Sequence, residues 1–345
     1  MVYRRCGNRL EGSPVKQTGL SLTLALALAC LLALAASALI GTMPLAPNAV
    51  ASALFGTGDP QTQIIVWEIR LPRALAALCV GLALGLSGAA LQGLLRNPLA
   101  EPGTLGISAS AALGAAAAIA FGLTALTPLS VMAAAISGAT IATGLLAVAA
   151  SRGLSSTGLI LVGAGLSSLS GALLALLMNF SPNPFTTAEL VNWMLGSVAN
   201  RSALDVGLTL PLLGIGASLI ALSSNGLRAL TLGEEGAIGV GAHVGQTRLL
   251  VIAGTGLATG ASVALAGVVG FVGLVAPHLV RPLVGNDPAR TLWPSAFLSA
   301  LLLVLADLAI RLIPSEQELK LGVLAALIGA PVFVAIAARG DSHGR

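Results

Sequence analysis

Apolar runs separated by short polar breaks fill most of the chain. A helix needs about 20 residues at 1.5 Å rise to cross roughly 30 Å of hydrocarbon, and the run Leu20 to Ile40 meets that length. Further apolar runs cover 72–94, 103–123, 128–150, 158–180, 205–222, 249–269, 271–284, 293–313 and 321–338. The pattern predicts an all-α polytopic membrane protein with about ten transmembrane helices. The run 271–284 is too short for a full crossing and contains Pro277 and Pro282. It reads as a short helix inside the bundle, because irregular backbone at membrane depth survives only where protein or a water-filled cavity surrounds it. Gly41 to Glu68, with Pro44, Pro47 and Pro60, reads as an external loop.

One polar stretch does not fit the alternation. Arg228 to Arg248, RALTLGEEGAIGVGAHVGQTR, is neither long and apolar enough to cross nor biased enough in composition to be disordered. Glycines at 233, 236, 239, 241 and 245 divide it into pieces of one or two helical turns. It is expected to be a short, folded, water-facing piece suited to contact with another protein.

Composition supports the membrane reading: 56% of residues are hydrophobic, 9% are charged, and the mean hydropathy is +0.95. Forty-two glycines suit close helix contact, since lipid tails give apolar helices no hydrophobic reason to associate. The net charge of +4 is too small and too dispersed to suggest nucleic acid. Cys6, Cys30 and Cys79 make neither a disulfide framework nor a metal-ligand cluster.

Charge also orients the chain. Arg4, Arg5, Arg9 and Lys16 precede the first run against Glu11 alone, which puts the N-terminus in the cytoplasm. A cleavable signal peptide is the competing reading, with Ala35-Ala36-Ser37-Ala38 as its cleavage site, but the apolar core exceeds the ~7–15 residues of a signal segment. With ten crossings, Arg96, Arg152, Arg228, Arg248, Arg281, Arg290, Arg339 and Arg345 join those four inside. Arg70, Arg73, Arg201, Arg311 and Lys320 fall outside, and both termini are cytoplasmic. The expected organisation is a tail over 1–19, a membrane domain over 20–338 with 228–248 in the cytoplasm, and a tail over 339–345. External arginines either meet an acidic partner or anchor helix ends by snorkelling.

Candidate chemistry is sparse. The phosphate-binding pattern GxxxxGK[ST] needs a lysine followed by Ser or Thr, whereas Lys16 and Lys320 precede Gln and Leu. Any ATP drive must therefore come from another polypeptide. HExxH and GxSxG are absent, so a membrane-embedded enzyme has little support. His243, His278 and His343 are far apart in sequence and read as interfacial or hydrogen-bonding residues. Asp307 is the one acid well inside a span, which marks it as a functional candidate. Arg311 lies four residues on, so an ion pair along one helix face is an equal structural reading. Ser155, Ser156 and Thr157 precede a span at the cytoplasmic face, where hydroxyls can cap the helix or line a narrow gate.

Several blocks resemble the FecCD family, the permeases of ATP-driven importers for ferric siderophores, haem and vitamin B12. They are Arg70-Leu71-Pro72-Arg73, SGAALQGLLRNPLAEPGTLGIS from Ser87, LGEEGAIGVGAHV from Leu232, GVVGFVGLVAPHLVR from Gly267 and LKLGVLAALIGAPVF from Leu319. They occur in family order from about residue 65 to 338. The resemblance implies a type II ABC importer permease fold in the bacterial inner membrane, without cofactor or metal. The implied partners are a second permease copy or a paralogue, two ATP-binding cassette ATPases and a periplasmic or lipid-anchored binding protein. It also implies that Arg70, Arg73 and Arg311 dock that binding protein. Gly233, Glu234, Glu235 and Gly239 would then couple to the ATPase, with Ser156 and Thr157 at the cytoplasmic gate. Lys320 stands where many members carry Pro, and Gly236-Ala237-Ile238 replaces a more polar turn. An iron complex, a ferric siderophore first, is the expected substrate; an ion-coupled secondary transporter using Asp307 is the alternative.

Overall fold

The computed structural model describes residues 15–41, 43–127, 129–313 and 318–340. Arg4, Arg5, Arg9, Arg345, Cys6 and His343 lie outside them, as do most of both predicted tails. Every regular element among the described residues is helical. In chain order the helices are α1 (Val15–Leu39), α2 (Pro47–Leu54), α3 (Pro60–Ile64), α4 (Leu71–Leu95), α5 (Ile107–Ala120), α6 (Ser130–Ser151), α7 (Ser156–Asn179) and α8 (Pro184–Met194). They continue with α9 (Ala203–Leu222), α10 (Ser224–Ala229), α11 (Glu234–Gly239), α12 (Val244–Ala266), α13 (Val272–Val280), α14 (Pro288–Leu312) and α15 (Leu321–Gly340). Seven are long and apolar enough to cross a membrane, and three shorter apolar helices, α5, α13 with its 3-10 extension, and α15, occupy the other predicted positions.

Local chemistry explains where the helices begin. Pro47, Pro60, Pro184 and Pro288 each stand in a first turn, where a missing N–H costs nothing. Asp59, Asn183 and Ser202 cap α3, α8 and α9 through backbone N–H groups, and Ser202 with Asp205 forms a reciprocal capping box. The segment from Gly41 to Glu68, expected as a loop, is largely helical for this reason. A π-turn over Ile65–Arg70 then runs directly into α4. Helix α8 was not expected at all.

The bundle is held by backbone approach rather than by large side chains. α4 and α12 are mostly buried, while α1, α6, α7 and α9 turn most of their surface outward. A Cβ on Gly81 would lie 2.3 Å from Ala300 Cα, one on Gly85 2.3 Å from Ser299 Oγ, and one on Gly88 1.8 Å from Gly273 O. This glycine ladder on α4 seats α14 and α13 directly on its backbone. Gly254 and Gly216 join α12 to α9 in the same manner, as Gly114 and Gly138 join α5 to α6. Contact of this kind replaces the hydrophobic drive that lipid removes.

Two breaks place irregular backbone deep in the bundle. After α4 the chain turns back, and Leu105 and Gly106 pack against Gly163 of α7, while Ser167 Oγ donates to Gly103 O at 3.0 Å. Helix α5 therefore starts part-way up α7, and its 14 residues span only about 21 Å. After α12 the chain leaves helix at Gly267 and resumes at α13, whose residues from Val272 to Pro277 are all buried, as the short run predicted. Ser197 N donates to Ala266 O at 2.7 Å and Gly322 N to Gly196 O at 3.2 Å, so neighbouring chain satisfies the broken backbone.

The ladder makes a direct prediction. Gly88→Ala has no room against Gly273 O and is expected to destabilise the protein by about 1–3 kcal/mol. Gly144→Ala, with nothing within 4 Å of the added methyl, should leave stability level or raised. Thermal unfolding of both variants in detergent checks the contrast.

Candidate functional site

Polar side chains gather at two ends of the bundle. At the end where α4 begins and α14 finishes, Asp307 is 1% exposed and is held by two guanidinium groups. Arg73 Nε donates to Asp307 Oδ1 at 2.8 Å, and Arg311 Nη2 donates to Asp307 Oδ2. Arg311 Nη1 also donates to Ser37 O on α1 at 3.2 Å. Arg73 has a second partner, Glu318, which precedes α15. Arg70 is only 4% exposed, and its guanidinium donates to the carbonyls of Ala38 and Leu39, both at 2.8 Å, and of Met43. A cavity of about 210 Å³ opens among Arg70, Arg73, Arg311, Gly41, Met43, Ile65 and Ile69.

The opposite end carries the polar stretch 228–248. It folds as the last two residues of α10, a 3-10 turn over Leu230–Leu232, α11 and the first turn of α12. Gly233 starts α11 with φ +87°, a backbone conformation that L side chains rarely adopt. Leu227, Leu230 and Ala237 are buried and fasten the segment to the bundle. Arg248 of α12 forms an ion pair with Glu234, and Arg228 Nε lies 3.0 Å from Asp287 Oδ2. Asp287 is also the cap of α14, accepting from Ala289 N and Arg290 N. The segment is therefore tied to α12 and to α14. Glu235 makes no ion pair among the described residues, and Leu232, Ile238 and Val240 stand out strongly into solvent. A groove of about 640 Å³ runs between α10 and α12, with Arg228, His243 and Gln246 in its wall.

At the same end as the polar stretch, in the turn between α6 and α7, Ser155 is the cap of α7, its Oγ accepting from Gly158 N at 3.2 Å. Ser156 and Thr157 belong to the first turn itself, Ser156 half-buried and Thr157 exposed. Cys30 and Cys79 are free thiols, and no group of three or more possible metal ligands occurs among the described residues.

Residues 27–339 match the FecCD transport family. The chain belongs to that family. Its curated relatives include the vitamin B12 import system permease protein BtuC of Klebsiella pneumoniae, 41% identical over 82% of this chain and 85% of that protein. The corresponding Salmonella paratyphi A protein is 40% identical over 91% of this chain and 93% of its own length. A Bacillus subtilis permease named YvrB, described as an uncharacterized ABC transporter permease, is 40% identical over 84% of this chain and 83% of its own. A solved structure described as an inward-facing conformation of a metal-chelate type ABC transporter superposes with a TM-score of 0.82. It is 31% identical and covers 92% of this chain and 99% of that one. The FecCD chain is thus a multi-pass ABC importer permease of the bacterial inner membrane.

Sequence reasoning foresaw the Asp307–Arg311 pair, because four-residue spacing on a helix is legible. It could not foresee Arg73 on the same carboxylate, since the two are 234 residues apart. Arg70, expected among exposed charges, is instead buried on backbone carbonyls. Arg248, expected only to bracket the polar stretch, holds Glu234. In this FecCD chain Asp307→Ala leaves two largely buried guanidinium groups without their shared counter-charge. A loss of roughly 3–5 kcal/mol of stability is expected, read as a lowered unfolding midpoint, with Asp307→Glu retaining more of it.

Proposed function

We propose that the chain forms the translocation path of a binding-protein-dependent importer and is driven by a separate ATPase seated on residues 228–248. The observation that carries this reading is the construction of that segment. Leu232, Ile238 and Val240 are exposed on short helices that ion pairs moor to α12 and α14. Exposed apolar side chains on a rigid mount suit a protein partner, and motion imposed there passes directly into two core helices. Gly233, at φ +87°, lets the chain turn into that mount, Gly239 ends α11 with open space beside it, Glu234 positions the mount through Arg248, and Glu235 faces the partner.

At the outer end, Arg70, Arg73 and Arg311 form the wall that an acidic binding protein approaches. Of the three, Arg73 is the most open, at 15% side-chain exposure, and Arg70 serves by holding the wall in place. Opposite charge there steers association and fixes register more than it adds affinity. Two permease copies, or a copy and a paralogue, would enclose the path, with Ser156 and Thr157 at its cytoplasmic mouth. The spans carry few polar groups, which suits a slippery path that does not retain cargo.

The substrate class is a metal chelate. Relatives named for vitamin B12 import, a cobalt chelate, move the corrinoid ahead of the ferric siderophore that the sequence alone suggested. Ion-coupled transport through Asp307 finds no support in its surroundings, because both oxygens are held by guanidinium groups and the side chain is almost fully buried.

Two outcomes test the reading. Ile238→Asp with Glu235→Arg should cut co-purification of the ATPase by at least about tenfold, the effect of some 1.4 kcal/mol; undiminished recovery sinks the coupling assignment. Proteoliposomes holding this chain without an ATPase should not accumulate cobalamin or a ferric siderophore. Uptake under those conditions, lost in Asp307→Asn, would favour the ion-coupled alternative instead.

A further inference from the structure

The outer cluster contains a carboxylate that the docking reading does not use. Glu318 lies in the connection between α14 and α15, its side chain 39% exposed, and contacts Arg73 Nη2. Asp307, on Arg73 Nε, is 1% exposed. The same guanidinium therefore carries one permanent carboxylate on its buried side and one accessible carboxylate on its outer side. Arg70 and Arg311 offer no such arrangement: Arg70 is spent on three carbonyls, and Arg311, its side chain 5% exposed, places its Nη groups on Asp307 and Ser37 O with no exposed carboxylate beside it.

We propose that Glu318 is a built-in stand-in for the partner's carboxylate, occupying Arg73 until an acidic side chain of the binding protein displaces it. The proposal rests on the reading of Arg73 as a docking residue and adds a self-occupied state to it. The chemistry at that position is degenerate, since a guanidinium edge that holds one carboxylate accepts another with the same geometry. Exchange at a partly exposed pair is cheap, because such pairs contribute little on balance. Exchange at Asp307 is not, because a buried pair broken on one side leaves a charge uncompensated. With Glu318 in place, three guanidinium groups face two carboxylates, so the cluster keeps a single excess positive charge. Displacement of Glu318 exposes a second. The device would hold Arg73 in a defined orientation without a partner and would moderate affinity, so that a delivered binding protein can leave again.

The test uses the full chain in nanodiscs, as wild type and as Glu318→Gln. Phenylglyoxal labelling, resolved by mass spectrometry, reads the accessibility of Arg73, and a hexaglutamate peptide serves as the acidic probe. Glu318→Gln is expected to label Arg73 about two- to fivefold faster and to bind the peptide about two- to fivefold more tightly. Labelling of Arg70 should not change. Glu318→Asp should return both readings toward wild type. Equal Arg73 labelling in wild type and Glu318→Gln overturns the stand-in, as does weaker peptide binding in Glu318→Gln, which would make Glu318 itself part of the contact. Failure of the docking reading shows separately: the peptide would then bind Arg73→Gln as tightly as wild type, while the labelling comparison still decides whether Glu318 occupies Arg73.

Discussion

Close contact between helix backbones is the constraint on which the rest of this protein depends. In lipid an apolar helix gains nothing by leaving one apolar surface for another, so association must come from fit. Gly81, Gly85 and Gly88 supply that fit on α4, bringing α14 and α13 against its backbone. Burying α4 and α12 at the centre leaves the outer helices free to face lipid or a second copy. The two broken segments, after α4 and after α12, are possible only because neighbouring chain surrounds and pairs their backbone.

The same constraint joins the two polar ends. α14 lies on the glycine ladder and runs as an unbroken helix of 25 residues, about 37 Å. Its first residues accept Arg228 through Asp287, and its last turns carry Asp307 and Arg311. In the proposed reading, a displacement of the polar segment over 228–248 reaches the outer cluster through this one continuous helix, which carries Pro294 inside it and is seated on the core. Charge is used sparingly at both ends, and mostly to hold structure: buried Asp307 locks α4 to α14, and the half-exposed Glu234 orients α11 on α12 beside the buried Leu230 and Ala237 that fasten it. In the proposed reading, the surfaces left for partners are the edge of Arg73 that only the half-exposed Glu318 covers, on one side, and Leu232, Glu235, Ile238 and Val240 on the other.

Much of this was legible in the sequence, in proportion to how local the determining physics is. Apolar run length located the positions of the long helices and of the short buried one near Pro277, because hydrocarbon thickness acts on consecutive residues. It passed over α2, α3 and α8, which are too short and too polar to register as crossings and owe their existence to Pro and to Asp59 or Asn183 caps. Ser155 could be read as a cap from its place before a span; that Ser156 and Thr157 would sit one step inside the helix needed the backbone. Asp307 with Arg311 follows from helical spacing, whereas Arg73 with Asp307 and Arg248 with Glu234 depend on how helices meet. Arg70 misled for the same reason: a charge next to a loop looks solvent-facing until a π-turn and the end of α1 are seen to enclose it.

The central claim is that the outer cluster and the 228–248 segment belong to one machine driven by ATP on another chain. The most direct measurement is ATP turnover by the reconstituted permease–ATPase complex in nanodiscs, titrated with its binding protein added to the outer face. The account predicts turnover that rises severalfold with binding protein and saturates, and a response that disappears in Arg73→Glu. Turnover indifferent to the binding protein, or a response unaltered by Arg73→Glu, would contradict it.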